Sequence, residues 1–409
     1  MHCILLNITK TLFGLWMGDK LPDAQEDIEA PYLLSKSSKT AISRAVKSAR
    51  SNFPHSLGHA PRDPIARYRS FKASEWKSFL ENWGPAVMAE HIGDLAYGNL
   101  LVLCRILHLA SKFIITQDEI TRLRQLCLTF VKGFERIYYR GNKDCLPVCT
   151  VNIHSLLHLA DHIEDWGPAS YWWQFPLERH LGALKKMARS KSQMDQSLSN
   201  SVVVASQLSL LGLFDPSIPE HSTVPEVGEK FKGRLRSKAW TRHHKKWFHE
   251  HIARNDPGIP RLATNEELET ADSFSRFSRN GETFGSISSQ RKTDINRDDS
   301  RICYWDQEGL SFAAVVCFLT TSSFGTFAFV QDLGTVEELA TPDILTVQSV
   351  SASGKKQFID LVDIVGPIGI LTERDSRQPS RQTHVIIGSL HPSFERSDAW
   401  LDHTWELPS

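Results

Sequence analysis

Glu178 is the side chain whose setting most invites chemistry. Pro176 fits the first turn of a helix, where its missing N–H leaves nothing unpaired, and this puts the Glu178 carboxylate at the positive end of that helix. Such a carboxylate can ligate a hard divalent cation, or it can do no more than neutralise the helix dipole. Upstream, His154, His158 and His162 recur every four residues, beside a buried stripe of Ile153, Leu156, Leu157, Ala160 and Ile163. With Cys145 and Cys149, the first two imidazoles make a Cys-x3-Cys-x4-His-x3-His string of zinc-ligand types. Its central gap of four residues is far shorter than a zinc-finger loop, and the competing reading is helix-surface imidazoles beside ordinary loop or core thiols.

Two runs of positive charge could meet phosphates. One follows Glu178 directly, with Lys185, Lys186, Arg189 and Lys191. The other is residues 229–254, with nine Lys or Arg against two Glu: Lys230, Lys232, Arg234, Arg236, Lys238, Arg242, Lys245 and Lys246 carry most of it, and Phe231, Trp240, Trp247 and Phe248 are interleaved. Cations neutralise backbone phosphates and aromatics stack on bases, so this composition suits duplex DNA. The same composition suits a solvated face whose aromatics turn inward. No Gly-rich phosphate loop, Gly-x-Ser-x-Gly elbow or His-Glu-x-x-His helix occurs.

Several of these residues fall into a spaced pattern: Asn152-x-His154-x3-His158-Leu159, Gly167-Pro168, and Trp173-x-Phe175-x2-Glu178-Arg179-x2-Gly182-x-Leu184-Lys185. The pattern resembles the C-terminal part of CACTA (En/Spm-type) DNA transposases in the form common in fungi. The opening Met1-His2-Cys3 with its apolar run and Asn7, followed by Leu15-Trp16-x-Gly18, resembles a family segment that begins Asp-x-Met-His. Lys72-Ala73-Ser74-Glu75-Trp76-x2-Phe79-Leu80 resembles a further block. The resemblance implies an RNase-H-like nuclease in which carboxylates hold two Mg²⁺ or Mn²⁺ ions for DNA cleavage and strand transfer, with Glu178 as the downstream acid. The family's other two acids would fall before residue 1. The expectation is therefore a chain without nuclease activity of its own, with Glu178 vestigial and no cofactor. The alternatives are a truncated gene product whose full-length form is an active metal-dependent transposase, and a non-catalytic protein-interaction scaffold.

These side chains need helices to hold them. Ile120, Leu123, Cys127, Phe130, Val131, Phe134 and Tyr138 lie three and four apart down one face, predicting a core helix that starts at Thr116 or Asp118 and ends at Arg140. Glu75–Leu80 and Leu95–Ala110 read as two more, separated by a Gly84-Pro85 breaker. Residues 35–69 suggest a helical piece near Ala41–Ala49 and then an exposed connector without a core. From Arg301 onward short β-rich runs alternate with turn residues. The reading is an α+β multi-domain chain: a mainly α-helical N-terminal half (partial RNase-H-like transposase region) over 1–215, a Pro-rich boundary and basic helical segment over 216–262, a disordered linker over 263–300, and a small antiparallel β barrel or sandwich over 301–395. The β-domain suits a protein partner more than catalysis.

Length and charge bound the rest. The 409 residues carry 47 basic and 47 acidic side chains and 41% hydrophobic residues, enough for several cores and without a global field to attract DNA or membranes. Seven scattered Cys cannot all pair, which fits a reducing compartment. No run is apolar enough to span a bilayer and the N-terminus lacks signal-peptide features, so the expected location is intracellular, nuclear or cytoplasmic, with no membrane partner.

Overall fold

The computed structural model describes residues 2–19, 30–187, 193–214, 229–235, 240–279, 282–287, 297–306, 309–333, 336–338, 345–347, 354–374 and 382–387. The architecture is α+β, with helices in the N-terminal half and antiparallel sheets in the C-terminal part.

A π-helical stretch, Cys3–Thr9, runs into α1 (Lys10–Met17). Then come α2 (Lys36–Ala49), α3 (Pro64–Arg67), α4 (Ala73–Ser78), α5 (Gly84–Met88), α6 (Asp94–Ala110) and α7 (Gln117–Phe134). Short helices α8 (Val151–Ser155), α9 (Leu159–Trp166) and α10 (Ala169–Trp172) lead to α11 (Phe175–Met187) and α12 (Met194–Phe214). One apolar core joins Leu5, Leu12, Phe13 and Trp16 to Trp76, Phe79, Leu103, Leu123, Phe130, Phe134 and Ile163. Within it Trp16 Nε1 donates to Tyr138 Oη at 2.9 Å, so each of these buried aromatic polar atoms has a partner.

The periodic helix appears as expected. Its start is fixed by a capping box, in which Glu119 N donates to Thr116 Oγ1 at 3.3 Å and Thr116 N donates to Glu119 Oε2 at 2.8 Å. A π-helical turn, Glu135–Tyr139, extends it to Arg140 in the left-handed region. Two expectations fail. Gly84-Pro85 does not break the chain but opens α5, because proline is tolerated in a first turn; a Cβ on Gly84 would stand 2.5 Å from the Phe79 carbonyl oxygen, so only glycine lets the chain pass there. The segment 35–69 does have a core: Ile42, Val46, Ala49, Phe53 and Tyr68 are buried, since α2 presents a short apolar stripe that its Ser and Lys content obscures.

The β-rich part begins earlier than expected. Its elements are β1 (Glu229–Arg234), α13 (Arg242–Asn255), α14 (Arg261–Thr270), β2 (Asp272–Arg279), β3 (Glu282–Gly285), β4 (Arg301–Trp305), β5 (Leu310–Thr320), β6 (Thr326–Asp332), β7 (Val336–Glu338), β8 (Leu345–Val347), β9 (Lys356–Asp360), β10 (Ile364–Pro367), β11 (Gly369–Arg374) and β12 (Gln382–Ile387). The expected disordered linker, 263–300, instead supplies most of α14 together with β2 and β3, and Phe277 and Phe284 are fully buried. Its apolar residues are few, but Phe277 and Phe284 pair across β2 and β3 on one face, and a strand needs only one buried face.

Strand β5 organises the larger sheet. One edge pairs first with β4 and then with β2, while the other pairs with β6, which continues to β9. The register slips between Val315 and Cys317, and the extra residue reverses which side chains face which side. Ala313, Val315 and Phe318 therefore share a core with Phe277, Ala328 and Val330, whereas Cys317 and Leu319 share the opposite one with Phe327, Phe329 and Phe358. Helix α13 closes that second face through Phe248 and Ile252. A smaller sheet has the order β11-β12-β8-β7.

Candidate functional site

The opening helical stretch buries Ile4, Leu5 and Ile8, which turns His2, Cys3 and Asn7 toward α8 and α11. Three contacts result. His2 Nε2 stands 3.2 Å from Glu178 Oε1, with both side chains about half exposed. The Cys3 thiol donates to the Asn152 carbonyl at 3.3 Å, and burial pushes that thiol up from its ordinary value. Asn7 Nδ2 donates to Asn152 Oδ1 at 3.2 Å. Segments 145 to 176 residues apart in sequence thus meet at one junction, and Glu178 lies in the first turn of α11 as expected. The sequence reading had missed His2 as its neighbour. The signal that could have found it is the apolar spacing of Ile4, Leu5 and Ile8, which fixes the face on which His2 lies.

This donor set does not fit a two-metal carboxylate cage. Mg²⁺ and Mn²⁺ favour several oxygen ligands, and the junction offers one carboxylate beside an imidazole and two amides. Among the described residues no three His, Cys, Asp or Glu side chains converge on a point that could hold a metal. The same observation bears on the Cys-x3-Cys-x4-His-x3-His string: Cys145 is buried in a 3₁₀ turn, Lys143–Val148, while His154 and His158 are exposed, so the four do not form a cage. The physical reason is that α8 buries Ile153 and the 3₁₀ turn after it, Leu156–His158, buries Leu156, which points both imidazoles outward. The two rings do meet each other, Nε2 to Nε2 at 3.3 Å, and His162 follows with its ring centroid 6.5 Å from that of His158.

The basic candidates divide between several elements. Lys185 and Lys186 are exposed in the last turn of α11. Arg189, Lys191, Arg236 and Lys238 lie outside the described residues. Lys230, Lys232 and Arg234 are exposed along β1, with Arg234 paired to Asp272. On α13, Lys245 pairs with Glu269 and Lys246 stands 3.5 Å from Glu250, while Arg242 is exposed. The interleaved aromatics turn inward: Phe231 packs on Phe274 and Phe277, Trp240 and Trp247 on Phe329, and Phe248 on Phe327 and Phe358. They hold the helix and strand to the sheet and do not form a base-stacking platform. The strand pairing adds a cation that the sequence reading had not singled out, because Arg276 on β2 is exposed directly opposite Lys232. Like charges facing across a strand pair repel, and a phosphate between them relieves that repulsion.

Among the described residues no helix is long and apolar enough to cross a membrane. No curated protein and no solved structure matches the chain. Residues 109–219, which run from the end of α6 across α12 and include Asn152, His154, His158 and Glu178, match a family described as a domain of unknown function (DUF4218).

Proposed function

We propose that the chain is derived from a CACTA (En/Spm-type) transposase and binds duplex DNA without cutting it. The observation that carries this reading is the junction at Glu178. Two stretches that resemble separate blocks of that family meet there: the opening segment, through His2, Cys3 and Asn7, reaches both Asn152 and Glu178 of the later pattern at 3.2 to 3.3 Å, as parts of one inherited site would. The carboxylate there is met by an imidazole, which suits a retained scaffold better than an oxygen cage for hard ions. DNA contact falls to the exposed cations of β1, β2 and the end of α11, with Lys232 and Arg276 as the paired centre.

Gel-shift titration of duplex DNA over a salt series tests the reading. Binding should weaken linearly on a log–log scale, and the double substitution Lys232→Ala, Arg276→Ala should flatten the slope by about two. Binding that ignores salt would remove the DNA claim. Cleavage of the duplex in Mg²⁺ or Mn²⁺ that Glu178→Gln abolishes would show a working nuclease.

A further inference from the structure

We propose that His154 and His158 form a two-imidazole chelate for one borderline transition-metal ion, Zn²⁺ in the first instance. The 3.3 Å between their Nε2 atoms is the separation that a tetrahedral ion imposes: two nitrogens bound at about 2.05 Å stand about 3.3 Å apart. N–H···O hydrogen bonds centre at about 2.9 to 3.0 Å, so 3.3 Å is long for a direct bond between the rings. Both rings are exposed, so an ion can reach them and water can fill its remaining positions. Their carrier is held from below by Ile153, Leu156, Ala160 and Ile163, all buried in the main core, so little ordering is needed when the ion arrives. Imidazole nitrogens suit Zn²⁺, Ni²⁺ and Cu²⁺, and discriminate against Mg²⁺, which takes oxygen ligands. The buried thiol of Cys145 takes no part, and neither does His162, one turn further on. The chelate is independent of the Glu178 junction and of DNA binding.

Calorimetric titration of the full chain with Zn²⁺ alone tests the site, since other His and Cys residues of the chain make a difference measurement necessary. The wild-type chain should take up one equivalent more than His154→Ala or His158→Ala, and His162→Ala should retain it. Zn²⁺ should raise the melting temperature of the wild type and of His162→Ala but not that of the other two, whose metal-free melts should match the wild type. With Co²⁺ as a spectroscopic probe, the extra equivalent should show no thiolate-to-metal charge-transfer band. Equal uptake by the wild type and the His154→Ala, His158→Ala double variant would overturn the proposal, leaving the pair as a long hydrogen bond. A thiolate band, or an equal loss in His162→Ala, would overturn the ligand assignment.

Discussion

Glu75 ties three backbone segments together with one carboxylate. It accepts from the Arg62 guanidinium, including Nη2 at 2.7 Å, and from Lys72 N at 2.9 Å, while Arg62 also reaches the Ser70 carbonyl at 3.1 Å. Burial by itself would raise its pKa, but the Arg62 hydrogen bonds, the Lys72 amide and the nearby positive charge outweigh it and hold the carboxyl below its ordinary 4.5. A carboxylate depressed in the folded state adds stability that is present above the unfolded value and is lost as pH falls through the folded value. Glu75→Gln should therefore lower the melting temperature at pH 7, and the gap to the wild type should close as the pH drops below about 4.5. Melts across pH 3 to 7 check this, and a gap that stays constant would assign the effect to shape instead of charge. Glu178 contrasts with this arrangement, since its contact with His2 is half exposed and worth little to stability.

At the scale of elements, α13 shows how a basic sequence hides a structural helix. Thr241 caps it, with His244 N donating to Thr241 Oγ1 at 3.5 Å, and Phe248 inserts fully buried between Phe327 and Phe358. Its cations lie on the remaining face. Truncating Phe248 to Ala should cost about 3 to 5 kcal/mol, because the sheet cannot collapse into the space. Lys246→Ala should stay within about 0.5 kcal/mol of the wild type, since its partner Glu250 is an exposed neighbour on the same helix. Urea denaturation of the two variants separates the roles. Comparable losses in both would show that α13 is not anchored by its aromatic face.

Across the whole molecule, a short strap, 297–300, joins the β-rich part to the helical part. Arg297 Nη1 donates to the carbonyls of Pro54, at 3.3 Å, and Gly58. The Asp298 amide donates to the Ser51 carbonyl at 2.9 Å, and Asp299 accepts from the His55 amide at 2.7 Å and faces its ring at 3.0 Å. Asp298 also pairs with Arg301 at 3.2 Å, at the start of β4, so the strap is anchored at both ends. These charge-assisted bonds couple the unfolding of two regions that have separate cores. Combining Arg297→Ala with Asp299→Ala should split a single calorimetric transition into two or broaden it visibly. One unchanged sharp transition would show that coupling runs elsewhere, for example where α2 lies against β11.

Local chemistry was readable from sequence wherever a residue acts through its near neighbours. The Thr116 capping box, the stripe from Ile120 to Tyr138 and the place of Glu178 in a first turn each depend on spacings of a few residues, and the structure has them. What the sequence left undecided depends on pairing at a distance. The register that sets Arg276 against Lys232, the slip in β5 that sends Cys317 to the opposite face from Val315, and the recruitment of Asp272–Arg279 and Glu282–Gly285 into the sheet all follow from which strands meet. The inward turn of Phe231, Trp240, Trp247 and Phe248 belongs with them, because only the sheet supplies the apolar surface they cover. Local propensity fixes which element a segment forms, whereas the burial of its apolar face, and so the direction in which its charges point, exists only once the partner surface is in place.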